Sequence, residues 1–183
     1  MQRSLDDFKS YVQQHKDSVN AYTSQKWDSL DSTYMVKKDT LEKEYDHMSD
    51  DMKRSYDSTK NVWLAFKADY SKRVNENLKL AQMDSLRSSL TISGVRTDFT
   101  DLSAAKIENE YEHFVNTVKN NKDVYTSEQW QVVNVSWKAL NGRKREVSND
   151  LPAGDEKKII KLKFEYTGIK AANRPMAVDS DNS

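Results

Sequence analysis

The chain has 183 residues, and 29 Lys plus Arg balance 29 Asp plus Glu for a formal net charge of zero. It therefore lacks the basic surplus behind generic binding to nucleic acid or anionic membrane. With no cysteine, disulfide scaffolding, thiol catalysis and Cys-ligated metal are excluded, and 4 Gly and 2 Pro are too few for a many-stranded sandwich or barrel.

Charged residues make up 32% of the chain and aromatic residues 10%, with a mean hydropathy of −0.93. That combination suits long helices with thin apolar stripes around an aromatic core. No apolar run approaches the roughly 20 residues of a membrane span. The start, MQRSLDDFKSYV, lacks the apolar stretch of a signal peptide, so the sequence reads as cytoplasmic or as a mature form whose leader was removed.

Helical periodicity begins at once. Leu5, Phe8, Val12, His15 and Val19 form one face of a first helix. Trp27, Leu30, Tyr34, Leu41, Tyr45 and Met48 predict a second. Met52, Tyr56, Thr59, Trp63, Phe66 and Tyr70 keep heptad spacing in a third, which continues past Val74 and Leu78 towards Leu90. The stretch TISGVRTDFTD (91–101) loses the period and reads as a connector, with TISGV locally extended. A fourth helix follows at Ile107, Tyr111, Phe114 and Val118, and a fifth at Trp130, Val133, Trp137, Leu140 and Val147. Pro152 and Gly154 precede a sixth through Ile159, Leu162, Tyr166 and Ile169, and the aperiodic tail 174–183 reads as disordered.

The halves look related. A shift of 103 residues lays YTSQKW on YTSEQW without a gap and pairs Tyr34 with Trp137 and Trp63 with Tyr166. The expected architecture is all-α: two tandem three-helix units, an internal duplication, forming an elongated helical bundle. The units would be 1–90 and 103–173, joined by the connector 91–102.

The Y-T-S-x-x-W box has a structural reading. Thr23 and Thr126 suit helix N-caps, and Tyr22 with Trp27, like Tyr125 with Trp130, occupies the two positions of a hydrophobic staple. Gln129 can complete a capping box that Lys26 cannot. Trp63 and Trp137 join these as core residues.

Two E-x-x-H spacings, Glu44 with His47 and Glu110 with His113, match those of di-metal carboxylate bundles. Their phase speaks against that use: Glu110 falls on the flank of the fourth stripe, and His113 and His47 turn away from theirs. Asp46, His47, Asp50 and Asp51 cluster at the second junction, but Ser49 as the cap of the third helix with Asp50 and Asp51 in its first turn reads as a helix start rather than a metal site. The sequence contains no nucleotide-binding or hydrolase motif, and it implies no catalytic residue and no cofactor. Most aromatic residues fall on stripes, where packing accounts for them without a carbohydrate or peptide platform.

From Tyr111 to Ala172, the segments YEHFVNTVKNNKDVYTSEQW, VSWKALNGRKREV and LPAGDEKKIIKLKFEYTGIKA resemble a family of unknown function: secreted, often lipid-anchored helical proteins from Bacteroides-type bacteria. The first half is similar to a more divergent copy. The resemblance implies an all-α repeat and export, and no activity. The expectation is thus a non-enzymatic, exported cell-envelope scaffold or binding module acting through helical surfaces. It would be secreted or held at the periplasm or outer membrane by a lipid anchor upstream, and its partner would be an envelope protein or glycan, with homodimerisation open. A metal-binding bundle using the Glu/His pairs and a cytoplasmic coiled-coil adaptor are the alternatives.

Overall fold

A computed structural model of the chain describes residues 1–18 and 22–173. Among them six α-helices follow in order: α1 (Gln2–His15), α2 (Ser24–Glu42), α3 (Asp50–Ser89), α4 (Ile107–Asn121), α5 (Ser127–Glu146) and α6 (Asp155–Ala172). Single 3-10 turns lie at Tyr45–His47, Ala104–Lys106 and Ser148–Asp150, and no described residue is in a strand. The chain is all-α. Val19 and the tail 174–183 lie outside the described residues.

Helix starts follow local chemistry. At α5 the Thr126 hydroxyl accepts from Gln129 N–H at 3.2 Å while Thr126 N–H donates to Gln129 Oε1 at 2.8 Å, a complete capping box. At α2 the Thr23 hydroxyl accepts from Lys26 N–H at 3.5 Å, with no reciprocal bond. Ser49 Oγ accepts from Met52 N–H at 3.4 Å to open α3. Gly154 precedes α6 at φ +94°, a backbone setting that a Cβ makes costly.

Two expected elements are corrected. The second helix stops at Glu42, so Tyr45 and Met48 fall outside it in and after a 3-10 turn. There Tyr45 Oη donates to Asp57 Oδ2 at 2.9 Å and Met48 is buried, so tertiary contacts turn the chain into α3 without a glycine. The connector, expected to be partly extended, is a run of turns: Val95 N–H donates to Ile92 O at 3.0 Å, with Gly94 at φ +89°. It also supplies core residues, since Phe99 and Leu102 are buried, Phe99 at φ +60°.

The chain divides into two compact units, Met1–Leu78 and Lys79–Ser183. The division falls within α3, ahead of the connector, because Leu86 and Leu90 are buried with the second core. The first core joins Leu5, Phe8 and Val12 of α1 to Trp27, Leu30 and Tyr34 of α2 and Tyr56, Trp63 and Phe66 of α3. The second joins Tyr111, Phe114 and Val118 of α4 to Trp130, Val133 and Leu140 of α5 and Ile159 and Tyr166 of α6.

Positions 103 residues apart make matching contacts inside each unit. Tyr34 of α2 stacks on Trp63 of α3 with centroids 4.3 Å apart, and Trp137 of α5 stacks on Tyr166 of α6 at 3.9 Å. The partners have exchanged identity, yet each pair keeps one large and one phenolic ring at the centre of its core. Beside each stack a polar side chain takes the hydrogen: Trp63 Nε1–H donates to Asp31 Oδ1 at 3.2 Å, and Tyr166 Oη donates to Asn134 Oδ1 at 3.3 Å.

Candidate functional site

The residues singled out for structure lie where packing uses them. Trp27, Trp63 and Trp130 are buried and Trp137 is half-buried, in ring contact with Tyr111, Phe114 and Tyr166. Tyr125 meets Trp130 edge-on at 5.6 Å, the expected staple. Tyr22 departs from that pattern. Its ring contacts are with His15 and Phe66, and its hydroxyl lies 2.6 Å from His15 Nδ1, while Trp27 stacks on Tyr70 at 3.8 Å. Burial holds His15 below its ordinary pKa.

The two E-x-x-H pairs are placed very differently. Glu44 and His47 are exposed around the 3-10 turn after α2. Glu110 is not on an open flank: it is fully buried, and both carboxylate oxygens accept from Ile92 N–H, at 3.1 and 3.3 Å. His113 is half-buried, with Nε2 3.0 Å from Ser89 O. Sequence phase misses both because the end of α3 and the connector cover this side of α4. The pair thus clasps the chain just where α3 ends: His113 meets the Ser89 carbonyl, one of those that a helix C-terminus leaves without an intrahelical partner, and Glu110 takes the Ile92 N–H of the connector. Desolvation raises the Glu110 carboxyl above the usual 4.5, partly offset by the Ile92 N–H. Among the described residues, no three His, Asp or Glu side chains come together in an arrangement suited to a metal ion.

An open groove of about 630 Å³ runs between α1 and α3 in the first unit. Val12 and Val62 line it among Gln13, Ser58 and Thr59. Its polar groups are uncharged apart from Lys9, and no buried polar side chain aims into it.

The outer face of α6 is the more distinctive surface. Ile159 and Tyr166 are buried and Leu162 and Ile169 pack partly against the same core, as their spacing predicts. Phe164 lies about 200° round the helix from Tyr166 at 3.6 residues per turn. It is 75% exposed, and Ile160, one turn before it, is 47% exposed. Exposed Gly168 and Ala171 continue the face. The acids of α6 are already committed: Glu156 pairs with Lys144 at 3.0 Å, Glu165 with Lys119 at 2.7 Å, and Asp155 lies 3.8 Å from Lys158. Lys157 and Lys161, exposed beside Ile160 and Phe164, stand in none of the ion pairs among the described residues. Sequence reasoning did not single out Ile160 and Phe164, although two large apolar residues opposite a core stripe are a readable signal.

This face lies in the part of the chain that resembles other proteins. A DUF6565 domain is found at residues 118–181. It is a domain of unknown function, and it runs from Val118 in α4 through α5 and α6. No curated protein and no solved structure matches the chain. The DUF6565 segment therefore holds the capping box, the Trp137–Tyr166 stack and the exposed α6 face, while Glu110 and His113 lie before it.

No helix among the described residues is long and apolar enough to cross a membrane.

Proposed function

We propose that the chain is a non-enzymatic scaffold or binding module of the cell envelope that acts through its helical surfaces. The observation that carries the binding part is the α6 face, where a 75% exposed Phe164 and its neighbour Ile160 stand outside a core that accounts for most other large apolar residues of the unit. Exposed apolar side chains grouped on one helix face mark interaction sites more often than scattered ones do. The envelope part rests on the resemblance of Tyr111–Ala172 to exported helical proteins.

The test is made in the source cells. A photo-crosslinking residue replaces Phe164, and soluble and envelope fractions are compared for the intact mass of the chain and for adducts. The expected result is an envelope-associated chain with a discrete protein adduct at position 164. A wholly cytosolic chain would move the reading to a cytoplasmic helical adaptor, and absence of any adduct would remove the α6 face from it.

A further inference from the structure

We infer that the outer face of α6 seats an α-helix of a partner protein whose apolar stripe is edged by acidic residues. This rests on the binding-module reading above and names the chemistry of its partner. The first support is spacing: Ile160, Phe164, Thr167 and Ala171 step by 4, 3 and 4 along exposed α6, the seam on which a second helix packs.

Shape is the second support. Phe164 projects as a knob, and nothing lies within 4 Å of the point where a Cβ on Gly168 would sit. One turn beyond the knob, then, the backbone of α6 is open to close approach by another helix.

Charge chooses among occupants. Lys157 and Lys161 line one edge of the seam with no acidic partner among the described residues, while the acids of α6 pair with Lys144, Lys119 and Lys158 on other elements or within the helix. On the opposite edge Glu156 is paired and Lys163 is half-buried over the Tyr111 ring, while Lys170 stands exposed and in no ion pair among the described residues, so neither edge offers a free acid. A second copy docked antiparallel along the whole seam would bring its stretch 168–172, which carries no acid, to the Lys157–Lys161 edge. A bilayer rewards a broad apolar face, and this seam is narrow, with Ile160 and Phe164 its only large apolar side chains. Acidic residues along one edge of an incoming helix satisfy both lysines.

The experiment uses the full chain and a synthetic, helix-stabilised peptide of about five turns, with Leu along its stripe and Glu on its edges. Its twin has Lys in place of Glu. Anisotropy of the labelled peptides reads binding. The Glu-edged peptide is expected to bind saturably, and Phe164→Asp and the double variant Lys157→Glu/Lys161→Glu are each expected to weaken it by at least about tenfold. The double variant is also expected to bind the Lys-edged peptide better than the native chain does. Circular dichroism of each variant confirms that the exposed substitutions leave the helices in place.

Equal binding of the two peptides by the native chain would overturn the inference. So would binding unaffected by Phe164→Asp, a native dimer that this substitution abolishes, or preferential binding to vesicles of phosphatidylcholine and phosphatidylglycerol in equal parts. If the peptide fails to bind while the position-164 adduct forms in cells, the acidic-helix inference falls and the binding-module reading stands. If neither occurs, both fall.

Discussion

Trp63 donates its indole N–H to Asp31 Oδ1 at 3.2 Å, and the second carboxylate oxygen of Asp31 takes Lys67 Nζ at 2.5 Å. One carboxylate thus satisfies the only polar atom of the largest fully buried side chain and holds a lysine at the rim of the first core. In the second unit the equivalent place, 103 residues on, is filled by neutral Asn134, which accepts from Tyr166. The hydrogen bond recurs and the charge does not.

Asp31→Leu should therefore cost about 1–3 kcal/mol, because it strands a buried indole N–H. Asp31→Asn keeps an acceptor for Trp63 and gives up the partly exposed ion pair with Lys67, so its cost should stay below about 1 kcal/mol. Urea unfolding of the full chain compares them. Equal losses would mean that the ion pair, and not the indole bond, is what Asp31 contributes.

Two buried tyrosines give an opposed pair of expectations. The Tyr34 hydroxyl has no hydrogen-bond partner among the described residues, and burial pushes its pKa up to about 12. The Tyr56 hydroxyl donates to Glu42 Oε1 at 3.1 Å. Removing an unsatisfied hydroxyl relieves a desolvation cost, so Tyr34→Phe should leave stability unchanged or raise it by up to about 1 kcal/mol. Tyr56→Phe should lose about 0.5–1.5 kcal/mol. A loss for Tyr34→Phe equal to that of Tyr56→Phe would show that the Tyr34 hydroxyl has a partner, such as an ordered water, in solution.

Glu110 makes stability depend on pH with a defined sign. Its carboxyl is raised above 4.5 by burial, so the folded chain binds that proton more tightly than the unfolded chain does. The ionised group thus costs stability at neutral pH, and the cost disappears as pH falls through the raised value towards the ordinary one. Glu110→Gln keeps an oxygen for Ile92 N–H and removes the charge. It should be at least as stable as the native chain at pH 7, and its advantage should shrink as the native carboxyl protonates. Glu110→Ala, which orphans the N–H, should lose about 1–3 kcal/mol at either pH. A Gln variant less stable than native at pH 7 would mean that the charge itself strengthens the clasp on Ile92.

Glu110 also shows where sequence legibility ends. The stripes of α1 and α3, the box that starts α5 and the phase of α6 were readable, because a 3.6-residue period and a capping side chain are local facts. The burial of Glu110 depends on which segment folds over α4, and the spacing of α4 carries no trace of that. The connector hid Phe99 and Leu102 for the same reason: a core residue in a run of turns has no period. The end of α2 at Glu42 is set by Tyr45 reaching Asp57 rather than by any breaker in the sequence. The α6 face was half legible, since its inner stripe was read and its outer residues follow by subtraction.

The two central tryptophans should separate by burial. Trp63 is 0% exposed, whereas Trp137, which lies 103 residues on from Trp63's stacking partner Tyr34, is half-buried. Trp63→Ala should cost about 3–5 kcal/mol, and Trp137→Ala less, since the cavity it leaves is open to solvent on one side. Thermal unfolding followed by far-ultraviolet circular dichroism tests the order. A negligible shift for both would return the aromatic cluster to consideration as a ligand platform.

The two helix starts differ in a way that a single substitution can exploit. Thr126 and Gln129 satisfy each other's backbone, whereas Thr23 has one long bond from Lys26, whose side chain cannot reciprocate, and α2 has no acidic residue in its first turn. Thr126→Ala should therefore cost about 1 kcal/mol and Thr23→Ala less. Lys26→Glu supplies the missing acceptor for the Thr23 N–H and places a negative charge at the positive end of α2. It should stabilise the chain by about 0.3–1 kcal/mol at low salt, with part of the gain lost as salt screens the dipole. Urea midpoints at low and high ionic strength check both statements. A gain that does not change with salt would assign the effect to the hydrogen bond alone, and no gain would mean that the entry to α2 is fixed by the His15–Tyr22 contact before the cap can act.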